Sequence, residues 1–176
     1  AMPAFDSSVG GLLSTSYASI LEATDALSLL VSAELLAEWV ALDVAVKENF
    51  LMRSTKTINV SFNWSGFRNT SGQMLSFPRA GVYVDGRYLS SDAIPPALVD
   101  ATSLFALYLQ RGFSYSTSTA TPVKEVKIGP IEVVFDSSKN VSSPLSLPAE
   151  IIEMLQSLGD FSGASPGAKV IDLERA

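Results

Sequence analysis

At 176 residues the chain is long enough for one domain with a hydrophobic core, with some length left for arms. Its net charge is −6, and because it has no cysteine and no histidine, disulfides, thiolate metal sites and the usual Ser/His/Asp and Cys/His triads are excluded. Hydrophobic residues make up 47% and charged residues only 17%, which is more apolar surface than one such domain easily buries and favours subunit interfaces.

The N-terminal third predicts three helices. Residues 1–15 are small, polar and weakly patterned, and we expect a flexible lead. Ser19-Ile20-Leu21-Glu22 has the form of a capping box, which opens a helix running to about Leu30. Ser32 and Asp43 can cap a second and a third helix, whose inner faces carry Leu35, Leu36, Trp39, Val44, Val46, Phe50, Leu51 and Ile58. Together they predict a compact antiparallel bundle.

A long loop at about residues 60–92 follows, because the helical period is lost there. Within it, Val82 to Leu89 places β-branched and aromatic residues around Asp85-Gly86, a pair typical of a type I′ turn, and this predicts a β-hairpin. Asp92 before Pro95-Pro96 then starts a further helix up to Gly112, whose broad apolar face makes it the centre of the core.

The C-terminal third predicts less regular structure. Val123 to Phe135 forms two apolar runs around Gly129-Pro130, which indicate a second short hairpin or a bent strand. Pro148 can start a short helix through Leu158, and the tail beyond it is polar except for Val170, Ile171 and Leu173. The predicted fold is therefore mainly α, with a flexible lead (1–15), a helical domain (16–158) and an extended tail (159–176).

No catalytic or metal-binding group is predicted. Asp85 and Asp92 flank the hairpin, but a turn demands the first and a helix cap explains the second. No glycine-rich phosphate loop is present. The sequence has neither the basic start of a signal peptide nor an apolar run of about 18 residues. We expect no enzyme activity, no cofactor and no membrane contact.

Aromatic and basic residues are interleaved in the long loop. They could stack on bases and neutralise phosphates of single-stranded nucleic acid, or they could be core and interface anchors. A pI near 4.6 argues against the nucleic-acid interpretation, and Arg79 after Phe77-Pro78 can instead form a buried bidentate ion pair that fixes the loop. The candidate partner-contact residues are Phe62, Trp64, Phe67, Arg68, Phe77, Arg79, Tyr83, Arg87 and Tyr88, with Val170, Ile171 and Leu173 in the tail.

Several segments follow an order found in one phage and prophage family. They are Ser16–Ser19 before a helix with Glu22-Ala23, then Trp64–Arg68, Gln73–Val82, Ile94–Leu98 and Val126–Ile131. The most specific is Gln-x-Leu-x-aromatic-Pro-Arg-x-Gly-Val, although Phe77 stands where tryptophan is usual. From Ser16 to Leu158 the chain resembles the DnaT-like single-stranded DNA-binding family, whose members also resemble head-tail connector adaptors of tailed bacteriophages.

The resemblance implies a structural virion protein. It implies a ring of this chain, twelve copies in all, in the neck beneath the portal protein, contacting a tail, tail-terminator or nozzle protein and passing double-stranded DNA without reading its sequence. Such a protein is made in the bacterial cytoplasm and ends up in the virion. The alternative is the function in the family's label, a single-stranded-DNA-binding replication accessory module.

Overall fold

The computed structural model describes residues 3–113 and 147–162, and the backbone of two strands at 125–128 and 131–134. The described helices are α1 (Ile20–Leu30), α2 (Ala33–Val40), α3 (Val44–Ser61), α4 (Pro96–Gln110) and α5 (Ala149–Leu155). The strands are β1 (Phe62–Trp64), β2 (Phe67–Arg68), β3 (Arg79–Ala80), β4 (Tyr83–Val84), β5 (Arg87–Tyr88), β6 (Glu125–Ile128), β7 (Ile131–Val134) and β8 (Gly159–Phe161). The prediction of a mainly α fold with small antiparallel hairpins is confirmed.

Local capping signals explain where the first two helices begin. The Ser19 hydroxyl accepts from the Glu22 amide at 3.2 Å, and the Glu22 carboxylate accepts from the Ser19 amide at 2.8 Å, which completes the predicted capping box. Ser32 caps α2 by accepting from the Leu35 amide. Asp43 precedes α3 as predicted, but its side chain makes no capping hydrogen bond.

Helix α4 is the centre of the core, as its broad apolar face predicted, and it contacts α1, α3 and α5. A polar tie supports the packing, because the Ser54 hydroxyl of α3 donates to the Thr102 carbonyl of α4 at 2.7 Å. The buried residues of α4 are Leu98, Ala101, Thr102, Ser103, Leu104, Phe105, Ala106, Leu107 and Leu109.

The start of α4 differs from the prediction. Proline at position 96 opens the helix, with Pro95 as the preceding cap residue, and Asp92 lies outside it. The Asp92 carboxylate instead accepts from the side-chain Nδ2 of Asn69 at 3.3 Å. Because the residue before a proline is disfavoured in the helical region, a helix cannot easily run from Asp92 through Ile94-Pro95.

Each described strand pairs antiparallel with one partner. The predicted second hairpin is present as β6 and β7, while Gly129-Pro130 lies outside the described residues. Strand β8 was not predicted: it pairs with β1, so that Phe62 lies opposite Phe161 and Trp64 opposite Gly159. Helix α5 starts after Pro148 as predicted but ends at Leu155, short of Leu158.

The residues before α1 form hydrogen bonds of their own, where we expected a flexible lead. The Asp6 amide donates to the Thr15 hydroxyl at 2.9 Å, and the Thr15 amide donates to the Asp6 carbonyl at 2.7 Å. The Met74 amide donates to the Gly11 carbonyl, which connects this segment to the long loop.

Among the described residues, no helix is both long and apolar enough to cross a bilayer.

Substituting Ser19 by alanine should lower the free energy of unfolding by about 0.5–2 kcal/mol, because it removes the hydroxyl that accepts from the Glu22 amide and donates to the Glu22 carboxylate. Urea unfolding followed by far-UV circular dichroism measures the change. Ser28→Ala is the control, since Ser28 is exposed inside the same helix and its hydroxyl bonds only the Asp25 carbonyl. Equal midpoints for the two variants would contradict a stabilising cap.

Candidate nucleic-acid interface

Three of the predicted loop aromatics form the base of the site. Phe62 and Trp64 stack with ring centroids 4.9 Å apart, and Phe77 meets Trp64 edge-on at 5.1 Å. Phe62 and Phe77 are buried, and the Trp64 indole N–H donates to the Asn59 carbonyl at 3.0 Å. Phe62 and Phe77, predicted as partner contacts, are buried in this chain, and Trp64 is only partly accessible.

Asn59 of α3 holds the base of the loop. Its side-chain oxygen accepts a hydrogen bond from the Ser76 amide at 2.8 Å and another from the Tyr17 hydroxyl. Burial raises the pKa of Tyr17, so this hydroxyl stays protonated and remains a donor throughout the physiological range. One side chain thereby joins α3, the segment before α1 and the long loop.

Arg79 fixes the middle of the loop. Its guanidinium donates to the carbonyls of Gly66 at 2.6 Å and Ser65 at 2.7 Å, and more weakly to those of Ser76 at 3.3 Å and Trp64 at 3.4 Å. Burial lowers the pKa of Arg79, and the nearby Arg68 adds to the effect. The predicted role in fixing the loop is confirmed but the predicted ion pair is wrong, since all its described hydrogen-bond partners are backbone carbonyls.

Gln73 completes the interior of the loop. The buried amide donates to the carbonyls of Leu75 and Pro78 at 2.9 Å each and to that of Ser76 at 3.3 Å, and it accepts from the Thr70 amide at 3.0 Å. The loop backbone is thus satisfied from within. Its outer side chains are left free to contact a partner.

The predicted hairpin is present as β4 and β5. Tyr83 pairs with Tyr88 and Val84 with Arg87, leaving Asp85-Gly86 as a two-residue turn. Asp85 has φ +50° and Gly86 φ +80°, the left-handed conformations that a type I′ turn requires. This confirms the turn assignment, and the turn places both tyrosines on the same face of the hairpin.

Three aromatic rings project from the outside of the loop. Phe67 is 66% exposed, Tyr83 59% and Tyr88 74%. The two tyrosine rings meet edge-on at 5.1 Å, and the Phe67 ring lies over Gly81, where a Cβ would stand 3.3 Å from it. Only Gly81 and Val82 separate the strand paired with Phe67 from the hairpin.

Two arginines accompany these rings. Arg68 follows Phe67, and Arg87 precedes Tyr88; both are exposed, and neither has a hydrogen-bond or ion-pair partner among the described residues. We call the five residues Phe67, Arg68, Tyr83, Arg87 and Tyr88 the aromatic–basic surface. The other predicted loop residues are buried (Phe62, Phe77) or partly buried (Trp64, Arg79), and Val170, Ile171 and Leu173 lie outside the described residues. In the described ranges, no group of carboxylates is placed to hold a metal ion.

A family model matches residues 10–176, which is nearly the whole chain, and its description is "Putative DnaT-like ssDNA binding protein". The chain belongs to this family. The match includes the tail beyond Leu158, for which the sequence pattern offered no counterpart. No curated protein and no solved structure matches the chain.

Replacing Arg79 by lysine should destabilise the loop, because an ammonium cannot reach four carbonyls at once. We expect the free energy of unfolding to fall by about 1.5–3 kcal/mol, the range for one lost charge-assisted hydrogen bond. We also expect faster amide exchange in residues 64–79. Urea titration and hydrogen exchange provide the measurements.

Arg68→Lys is the matched control and should change stability by less than about 0.5 kcal/mol. An equal effect of both substitutions would refute the role of Arg79 in bracing the loop.

Proposed function

We propose that this chain binds single-stranded DNA through the aromatic–basic surface. The observation that carries the proposal is the presence of three exposed rings beside two unpaired arginines on one braced loop. Exposed aromatic side chains stack on bases of any sequence, and arginines contact the phosphates between them. The description of the family supports the same partner.

The bracing of the loop suits this function. Because Arg79 and Gln73 bond the loop backbone internally, the rings above it need little ordering when a strand binds. Preorganised side chains lose less entropy on binding, which raises affinity for a given set of contacts. The same bracing keeps Trp64 packed in the base, so Tyr88 and Phe67 are the better stacking candidates.

The charge of the chain limits the electrostatic part of the binding. Only Arg68 and Arg87 supply positive charge on this surface, and the whole chain carries −6. Two phosphate contacts give a slope of about −1.4 in a plot of log affinity against log salt concentration. Stacking therefore has to provide most of the binding energy, and we expect affinity in the micromolar range.

A second function, the head-to-tail adaptor, is favoured by a different observation. Large apolar side chains are exposed on the helices: Leu21 (71%), Leu29 (89%), Val40 (53%) and Val44 (60%), the last of which was predicted on an inner helix face. Exposed apolar side chains that form a contiguous patch are typical of surfaces that other subunits cover, and the adaptor proposal requires these side chains to form such patches. In this proposal the domain at 16–158 forms a ring in the neck of a tailed phage, between the portal and a tail protein.

The first test is a fluorescence anisotropy titration with a labelled oligothymidine of about 15 nucleotides at two salt concentrations. Tyr88→Ala should weaken binding by about 1–3 kcal/mol, or roughly 5- to 150-fold, through the loss of one stacked base. Arg87→Ala should reduce the slope of log affinity against log salt concentration by about 0.7.

Lys47→Ala is the control, because Lys47 donates to the Val40 carbonyl away from this surface. Binding that is absent in the wild type, or unchanged in Tyr88→Ala, would refute the proposal.

The adaptor function is tested by electron microscopy of purified portal mixed with this protein. We expect a ring of density beneath the portal with the wild type and its loss with Leu29→Asp, which charges the most exposed apolar side chain. Ser28→Asp adds the same charge to α1 without removing an apolar group and should still assemble. A portal that recruits no density from the wild type would refute the adaptor function while leaving DNA binding untouched.

A further inference from the structure

A groove of about 510 Å³ runs beside α3, away from the aromatic–basic surface. Its floor and rim include the apolar side chains of Met52, Val60, Met74 and Leu75, and its charged groups are Arg53 and Lys56. No acidic residue lines it, and neither cation has an ion-pair partner among the described residues. An apolar groove with two unpaired cations fits a peptide that alternates apolar and acidic side chains.

We propose that residues 163–176 of the same chain, here called the C-terminal segment, occupy this groove. Within it, Val170-Ile171-Asp172-Leu173-Glu174 combines three apolar residues with two acids. In an extended peptide, alternate side chains point to opposite sides, so Ile171 and Leu173 share one face. That face suits the methionine-lined floor, while Asp172 and Glu174 lie within reach of cations at the rim.

The position of Ser162, the last described residue, favours binding of the C-terminal segment to the groove of its own chain. Ser162 is fixed beside the end of α3, because its amide and its hydroxyl both donate to the Ser61 carbonyl, at 2.8 and 2.7 Å. Val60, one residue earlier in α3, already lines the groove.

The length of the intervening chain is sufficient. From Ser61 back to Met52, α3 rises about 14 Å. The seven residues between Ser162 and Val170 can span up to about 23 Å when extended. The segment can therefore enter at Val60 and run along the helix without moving any described element.

Charge selects this groove over the larger cavity at the other end of the bundle. That cavity, of about 1090 Å³, is lined by Glu150 and Glu153 as well as by Arg111. Arg111 is already paired with Glu38 at 2.8 Å. Placing Asp172 and Glu174 there would bring like charges together, whereas the groove on α3 offers only positive charge.

Methionine methyl NMR of the full chain tests the proposal. The chain has four methionines; Met52 and Met74 line the groove, while Met154 lines the other cavity and reports on the fold. Ile171→Asp with Leu173→Asp should shift the signals of Met52 and Met74 and leave that of Met154 in place. Ala164→Asp with Ala168→Asp adds the same charge and should shift none. If the groove methionines do not respond to the first pair, the segment is not in the groove.

Cysteine pairs distinguish the source of the segment, and the chain has no cysteine of its own to interfere. Under mild oxidation with glutathione disulfide, Met74→Cys with Leu173→Cys should give a disulfide within one chain. Glu34→Cys with Leu173→Cys, in which the first position is an exposed site on α2, is the control. Adding Arg53→Glu and Lys56→Glu should reduce the yield by up to about fivefold, as expected for surface ion pairs. A disulfide that forms mainly between two chains, or no more often than in the control, would overturn the proposal.

Discussion

The segment between α3 and α4 has only two- and three-residue strands, so its backbone polar groups depend on a few side chains. Arg79 binds four carbonyls, Gln73 binds three, and Asn59 attaches the assembly to α3. The carbonyls that Gln73 binds are buried, and a buried backbone group without a partner costs about as much as a lost hydrogen bond, so these bonds favour one conformation of the loop. The positions of the outer rings depend on this interior.

Helix positions could be predicted because their signals are local. The capping box at Ser19 and the glycine at position 112, which has φ +90°, each mark a helix end within a few residues. The one misplaced start has an equally local cause. Asp92 is a good cap residue, but the two prolines restrict the backbone φ angles more strongly than a cap does. The helix therefore begins only at the second proline, Pro96.

The composition of the candidate site could be predicted, whereas the division of its residues between core and surface could not. Phe62 and Trp64 are covered through pairing with β8, a strand that follows almost a hundred residues later and that no local pattern indicates. Asn59 and Gln73 were missed as structural residues for a similar reason. A single polar residue in a sequence gives no sign of which backbone groups it will satisfy after folding.

The aromatic–basic surface belongs to a chain of net charge −6, and this charge limits the class of partner that can be proposed for it. At about 0.1 M salt, charges more than about 10 Å away are largely screened, so a strand on this surface experiences mainly the two arginines Arg68 and Arg87 and the Asp85 carboxylate of the turn. At lower salt the acidic remainder of the chain repels the same strand. Duplex DNA, whose bases are covered and whose charge density is higher, gains nothing from exposed rings and is repelled more strongly. Both proposed functions therefore carry the same expectation: duplex DNA should pass this protein without adhering, and unstacked bases or apolar protein surfaces should be the partners that it binds.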